Sequence, residues 1–410
     1  MPTHSHSPPP ERRAEVTRRA ASAGTVLRCV LDRGPIARST IARATGLSPA
    51  SVTGHSAQLA RLGLIRELPE ATRLRTAGRP HIPVDLDTSR YLIGAVHIAV
   101  PHTTTALLDL RGQVIARRRL PHTSTDPSSI ARRACTALTE LLDQQDRRTV
   151  LLGLGAATGG RVDGDSGAVI EHPLLGWRDV PLRELLAERS GLLVLVDGHS
   201  RALLAAERLF GAARGRTGVM QLFIGNVVDA AFANGETVYQ GPRSQAGAIA
   251  HLPIQGQDGF CACGRTGCLQ AAVAEPALTR RAYADGLIPE PVFSLLLDAA
   301  LAADPAARGL FVERARTVGH ATALLMDIFD PELVVVVEPG VMFLPECLAA
   351  LHAEVRDRLS APPDVPRTVV ATGFGRDVLA IAGGAVILDA LYRDPLSLLA
   401  AAHHTAAAAA

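Results

Sequence analysis

The spacing of apolar and polar positions divides the chain into two textures. At the front the pattern predicts a helix from about Glu15 to Asp32, stopped by Arg33-Gly34-Pro35. A short helix follows over Ser39–Ala44, ending at Gly46. A third starts at Ser48, whose hydroxyl can cap it with Pro49 at the first helical position, and runs to about Leu62 before Gly63. Ile65–Leu68 and Ile82–Leu86 read as short strands around an arginine-rich loop. From Tyr91 strands and helices alternate, which predicts an α/β body. Strand-like runs are Leu92–Val96, Thr105–Asp109, Val150–Leu154, Leu192–Val196, Val219–Ile224, Leu333–Val337 and Thr368–Thr372. Helix-like runs are Ser128–Leu142, Leu182–Arg189, Arg201–Leu209, Arg308–Phe329 and Glu346–Leu359, with a small-residue helix over Asp377–Leu391. Residues 1–14 read as a disordered arm and 394–410 as a frayed tail.

Helix, short helix, glycine turn, capped helix and two strands is the order of a winged helix-turn-helix. Ile41 and Ala42 would pack inward, Leu47 would plug the core, and Val52 and Leu59 would form the buried side of the third helix. Ala50, Ser51, Thr53, Gly54 and His55 then face outward near the end that enters a major groove. Arg38, Ser39 and Ser48 flank that end, and Arg73, Arg75 and Arg79 on the wing suit phosphates or the minor groove. The partner expected for residues 15–88 is double-stranded operator DNA.

Charge sharpens that picture. All 42 basic residues are arginine. Residues 1–90 carry a net +7 and residues 91–410 a net −5, inside a whole-chain balance of +2. A basic front on a mildly acidic body again points to nucleic acid for the front. With 47% hydrophobic residues over 410 positions, a disordered chain or a disulfide-stapled mini-fold is excluded. No apolar run is long enough for a membrane span, and the polar, proline-rich Met1–Pro10 does not read as a secretory signal. The expected location is the cytoplasm, at the nucleoid.

Cys261-Ala-Cys263-Gly-Arg-Thr-Gly-Cys268 follows His251 by ten residues. Three thiolates and an imidazole make a closed four-ligand set, which predicts one structural zinc ion with no position left for a catalytic water. Cys29, Cys135 and Cys347 stand alone and read as small core residues.

Taken together, these features resemble the ROK family (repressors, open reading frames, sugar kinases), and within it the regulators with an N-terminal winged helix. The resemblance runs from about Thr17 to Leu391. It is carried by the helix-turn-helix, Gly78-Arg79-Pro80, Leu108-Asp-Leu-Arg-Gly112, Leu175-Gly-Trp-Arg-Asp-Val-Pro-Leu182, Ala246-Gly247 with His251, and the cysteine run. It implies a winged helix-turn-helix followed by a two-lobed, actin-like (ribonuclease H-like) ROK body. The implied division is 15–88 for DNA, 89–200 and 201–375 for the two lobes with zinc in the second, and 376–393 for a helix returning to the first. It also implies a homodimer or homotetramer, a transcriptional repressor, and a cleft for a sugar effector.

The kinase features of such a body are damaged here. The first phosphate loop reads Gly94-Ala-Val-His-Ile-Ala-Val100, without its acid. The second reads Gly225-Asn-Val-Val-Asp229, without its later glycines and with an acid that repels phosphate. The Asn-Asp pair that would supply the base reads Gly198-His199. No sugar phosphorylation is expected. The sugar contacts are altered too, with Ala248 and Gln270 where relatives carry glutamates. The resemblance places Gly159, Arg161, His199, Arg201, His251 and Gln270 at the effector cleft. Two histidines and an arginine there favour a sugar acid or sugar phosphate over a neutral hexose. Two other readings compete: a sugar kinase fused to a helix-turn-helix, and a scaffold regulator that needs no ligand.

Overall fold

The structure, a computed structural model, describes residues 10–69, 82–146 and 148–409. Its first unit is a helical triplet closed by a two-stranded ribbon. Helix α1 spans Pro10–Arg33, so the helix begins at Pro10 within the segment expected to be disordered. Its apolar face, Ala23, Val26, Leu27, Val30 and Leu31, is buried. Helix α2 (Arg38–Thr45) ends at Gly46 with φ +71°, a left-handed turn that glycine adopts without a Cβ penalty. Helix α3 (Pro49–Arg61) starts at Ser48, whose Oγ accepts the Ser51 N–H at 3.2 Å. Strands β1 (Ile65–Glu67) and β2 (Val84–Leu86) pair antiparallel, Ile65 against Leu86. Ile41, Val52, Leu59, Leu64 and Val84 are fully buried between these elements. The wing arginines Arg73, Arg75 and Arg79 lie outside the described residues.

The body holds two five-stranded sheets. The first has the order β10-β6-β3-β4-β5 and comprises β3 (Tyr91–Ile98), β4 (His102–Leu108), β5 (Val114–Pro121), β6 (Val150–Thr158) and β10 (Val194–Gly198). Strands β3, β6 and β10 run parallel, whereas β4 and β5 join as an antiparallel edge. The parallel strands need cover on both faces. Helices α4 (Pro127–Leu142) and α5 (Leu182–Ser190) cover one face; α14 (Val378–Arg393) covers the other. The packing of α14 is so close that a β-carbon on Gly155 would stand 2.2 Å from the Gly383 carbonyl oxygen. Strands β7 (Arg161–Asp163), β8 (Ala168–His172) and β9 (Trp177–Val180) form a small antiparallel sheet beside it.

The second sheet has the order β13-β12-β11-β14-β15, from β11 (Gly218–Ile224), β12 (Val228–Asn234), β13 (Thr237–Val238), β14 (Leu333–Val337) and β15 (Val369–Ala371). One face packs on α6 (His199–Phe210). The other packs on α10 (Pro305–Phe329) and α12 (Pro345–Arg358), with the short α7 (Leu269–Val273), α8 (Glu275–Ala284), α9 (Phe293–Leu301), α11 (Pro339–Phe343) and α13 (Val365–Thr368) around them. Residues 395–409 form α15 (Pro395–Ala409), a helix where a frayed tail was expected. Its Leu398 and Leu399 are buried in the same core as Leu27 of α1 and Leu391 of α14. That contact orders the segment, since isolated helices of such length are marginal in water.

Candidate functional site

Three places hold the residues singled out from the sequence. On the front unit, Ser48, Ala50, Thr53 and Gly54 are exposed and Ser51 and His55 half-buried at the cap and first turns of α3, while Ser39, also exposed, lies in the first turn of α2. The Thr53 hydroxyl donates to the Pro49 carbonyl at 2.8 Å, which keeps it against its own helix. Arg38 differs from the expectation: its guanidinium pairs with Glu67 of β1. It therefore ties α2 to the ribbon.

In the second lobe, His251, Cys261, Cys263 and Cys268 come together, all four ligand atoms within 4.8 Å of one another. Cys261 Sγ lies 3.6 Å from His251 Nδ1, and Cys263 Sγ 3.7 Å from Cys268 Sγ. A tetrahedral ion with Zn–S bonds of about 2.3 Å spaces its ligands about 3.7 Å apart, close to the two separations above, so the donor set suits a metal. Gly264 (φ +88°) and Gly267 (φ +71°) make the reversals that wrap the loop round it. The Arg265 Nε–H donates to Cys263 Sγ at 3.5 Å and brings that thiol down to about 6, toward the thiolate a metal requires. His251 serves this cluster and does not line the cleft.

The third place is a cleft of about 800 Å³ between the lobes. Of the expected effector residues, it gathers Gly159 and His199 only. Arg201 is buried; its Nε donates to Asp197 Oδ1 at 2.7 Å and its Nη2 to the Val162 carbonyl at 2.7 Å. Both ends of its fork are spent on the protein, so it is not the expected anion grip. Arg161 faces Glu171 at 4.0 Å, and Gln270 donates to the Asn226 carbonyl at 2.7 Å, positioning the loop rather than lining the cavity.

The cleft is lined instead by four histidines, His97, His102, His172 and His199. His97 and His199 stack with centroids 5.6 Å apart, and His172 stands nearby; all three are at most 2% exposed. Both ring nitrogens of His97 and Nδ1 of His172 and His199 lack a hydrogen-bond partner among the described residues. His199 Nε2 lies 2.8 Å from Asp229 Oδ2 without hydrogen-bond alignment. Burial, then the neighbouring His199, pushes His97 well below the usual imidazole range and His172 down to about 4. His97 and His172 are therefore neutral at neutral pH.

Val227, within the segment 225–229 that stands at the second phosphate loop, lines the cleft and packs against Gly159. A β-carbon on Gly159 would stand 2.8 Å from Val227 Cγ2. His172 and Arg119, which also line the cleft, were missed from sequence because no motif marks them; the fold brings them in from β8 and an edge strand.

A model of the ROK family matches residues 93–390. The chain belongs to the ROK family. A transcriptional regulator of Mycobacterium tuberculosis is 32% identical over 92% of this chain and 87% of its own length. A solved ROK transcriptional regulator, a homologue of the Escherichia coli Mlc protein, superposes with a TM-score of 0.75 over 94% of this chain and 98% of its own, at 23% identity. A ROK glucokinase from Streptomyces griseus superposes with a TM-score of 0.61 at 24% identity, covering 72% of this chain and 98% of its own. This ROK chain thus has the full arrangement of a family transcriptional regulator, with a front unit beyond the part that matches the kinase. Among the described residues, no helix is long and apolar enough to cross a membrane.

Proposed function

We propose that this ROK regulator is a sequence-specific repressor that reads duplex DNA with α3 as a homodimer or homotetramer, and does not phosphorylate sugars. The observation that carries the reading is the capped, outward N-terminal end of α3, lined by small and hydroxylated residues, on a ROK-family body. A random-pool selection of bound DNA with the full chain tests it. Enrichment of one motif is expected; recovery of unselected sequence at low salt only would refute sequence-specific reading.

A coupled assay with glucose, N-acetylglucosamine, N-acetylmannosamine and fructose should stay at background. Phosphoryl transfer depends on positioning and charge neutralisation, and the segment 225–229 offers apolar Val227, which lines the cleft, and the carboxylate of Asp229, which faces His199. ATP-dependent turnover lost in His199→Ala would overturn this part.

Zinc is the metal that the Cys3His set would hold, and its contribution is structural: it ties Cys261 and Cys263 of the loop to Cys268 at the start of α7. Elemental analysis of protein purified without chelators should find one zinc per chain. Cys263→Ser should lose it and lower the melting temperature of the body.

A route from cleft to DNA unit is built into α14. Val378 and Leu379 at its start line the cleft. Its end abuts α1, where a β-carbon on Gly24 would stand 2.3 Å from the Arg393 carbonyl oxygen. Arg214 adds an ion pair to Asp32 at 3.2 Å. A ligand that favours one position of α14 would bias the front unit through these contacts.

A further inference from the structure

Two features of the interlobe cleft are unused by the readings above. The first is Arg119 on the edge strand β5. Its neighbours in sequence are neutralised, Arg117 by Asp377 at 2.9 Å and Arg118 by Glu140. Arg119 has no carboxylate within 4.0 Å among the described residues; its Nη2 donates instead to His102 Nδ1 at 3.1 Å. His102 is buried, and burial, then the Arg119 charge, hold its imidazole down at about 4, so it accepts that bond as a neutral ring. The rest of the Arg119 fork is open toward the cavity it lines.

The second feature is an apolar floor. Phe223, Val227, Val337, Met342, Val378 and Leu379 pack as one cluster and all line the cleft. One lining acid, Glu275, accepts from Asn226 Nδ2 at 2.6 Å, and burial pushes its carboxyl up toward the neutral form. The other lining acid, Asp298, is exposed. Among the described residues, two arginines that line the cavity, Arg119 and the exposed Arg376, have no carboxylate within 4.0 Å; the neutral rings of His97, His102 and His172 and an apolar floor complete it. Its volume of about 800 Å³ suits a small organic molecule.

We propose that the cleft binds an amphipathic organic anion, its carboxylate on the fork of Arg119 and its apolar body over the Val227–Leu379 floor. The inference rests on the regulator reading for its meaning, since the ligand would act as effector through α14. It replaces the expected polar sugar anion with a ligand whose body is apolar. Arginine binds a carboxylate through two parallel N–H bonds, and the apolar floor gains from every methylene it covers.

Full-length protein is titrated calorimetrically with sodium octanoate, 1-octanol, acetate and glucose. Octanoate should bind, with octanol and acetate at least about ten-fold weaker and glucose silent. Arg119→Gln should weaken octanoate about ten-fold and leave octanol unchanged, whereas Leu379→Ser should weaken both. Octanol binding as tightly as octanoate, or an unaltered octanoate affinity in Arg119→Gln, would overturn the proposal and mark adventitious apolar binding. Glucose binding with octanoate silent would overturn it in favour of a sugar site. DNA selection without ligand separates the two readings. An enriched operator with octanoate silent removes this inference alone, and octanoate binding without any enriched operator removes the repressor reading alone.

Discussion

Ala50→Asp should abolish operator binding while leaving the fold as stable as before, or slightly more so. Ala50 is exposed in the first turn of α3, between the Ser48 cap and Ser51. A carboxylate in a first turn interacts favourably with the helix dipole, by about 0.3–1 kcal/mol. In the groove the same carboxylate would meet base edges and phosphates, which carry the opposite demand. A loss of about 100-fold or more is expected, equal to one or two forfeited contacts of about 1–3 kcal/mol each. Fluorescence anisotropy at fixed salt on the selected operator, beside a thermal melt, reads both quantities. Unchanged affinity would remove α3 from the DNA interface. Loss of affinity with a lowered melting temperature would show damage to the fold instead.

The second large effect is buried beneath the cleft. Arg314 and Glu338 have fully buried side chains and pair at 2.6 Å. The remaining donors of Arg314 reach the Val273 carbonyl at 2.7 Å and the Ile224 carbonyl at 3.3 Å. Glu338 Oε2 accepts the Val341 N–H at 2.6 Å, capping α11. This network fixes the ends of β11, α7 and β14 at the cavity wall. Removing one partner leaves an uncompensated buried charge, so Arg314→Met should cost about 3–5 kcal/mol in a denaturant melt. Arg314→Met with Glu338→Gln should be less destabilised than Arg314→Met alone, because the stranded charge is gone. A double variant at least as unstable as the single one would show that the arginine acts by packing rather than by charge.

Much of the front unit was legible because local chemistry decides it. Gly46 alone permits the φ of +71° that ends α2, and Ser48 with Pro49 starts α3 within a residue of the expected place. The cysteine cluster was legible for a similar reason: Cys-x-Cys and the glycines confine three ligands to one loop. His251, ten residues earlier, needed the fold to bring it in, through the bridge of Pro253 to Cys268. Strands β5 and β12 and the sheet β7-β8-β9 were not read from sequence. Arg117-Arg-Arg119 looks like a solvated charge run, yet edge strands tolerate charge, and β5 is an edge.

The cleft marks the boundary between the two kinds of knowledge. Sequence by itself determined which groups the chain lacks: the acid at His97, the glycines after Gly225 and the acidic base at His199 are absent at any geometry. It also picked out the histidine–cysteine cluster that could hold a metal and much of the order of elements, because residue identity, caps and periodicity act over a few residues. Only the tertiary structure decided which side chains remain available. Arg201 is unavailable because the helix start places it i+4 from Asp197 and beneath the Val162 carbonyl. Arg119 is available because its strand ends the sheet, while its two neighbours find acids on α4 and just before α14. The residue type is the same in both cases. What differs is how much of each guanidinium is already satisfied, and that depends on partners distant in sequence which only the packed fold supplies.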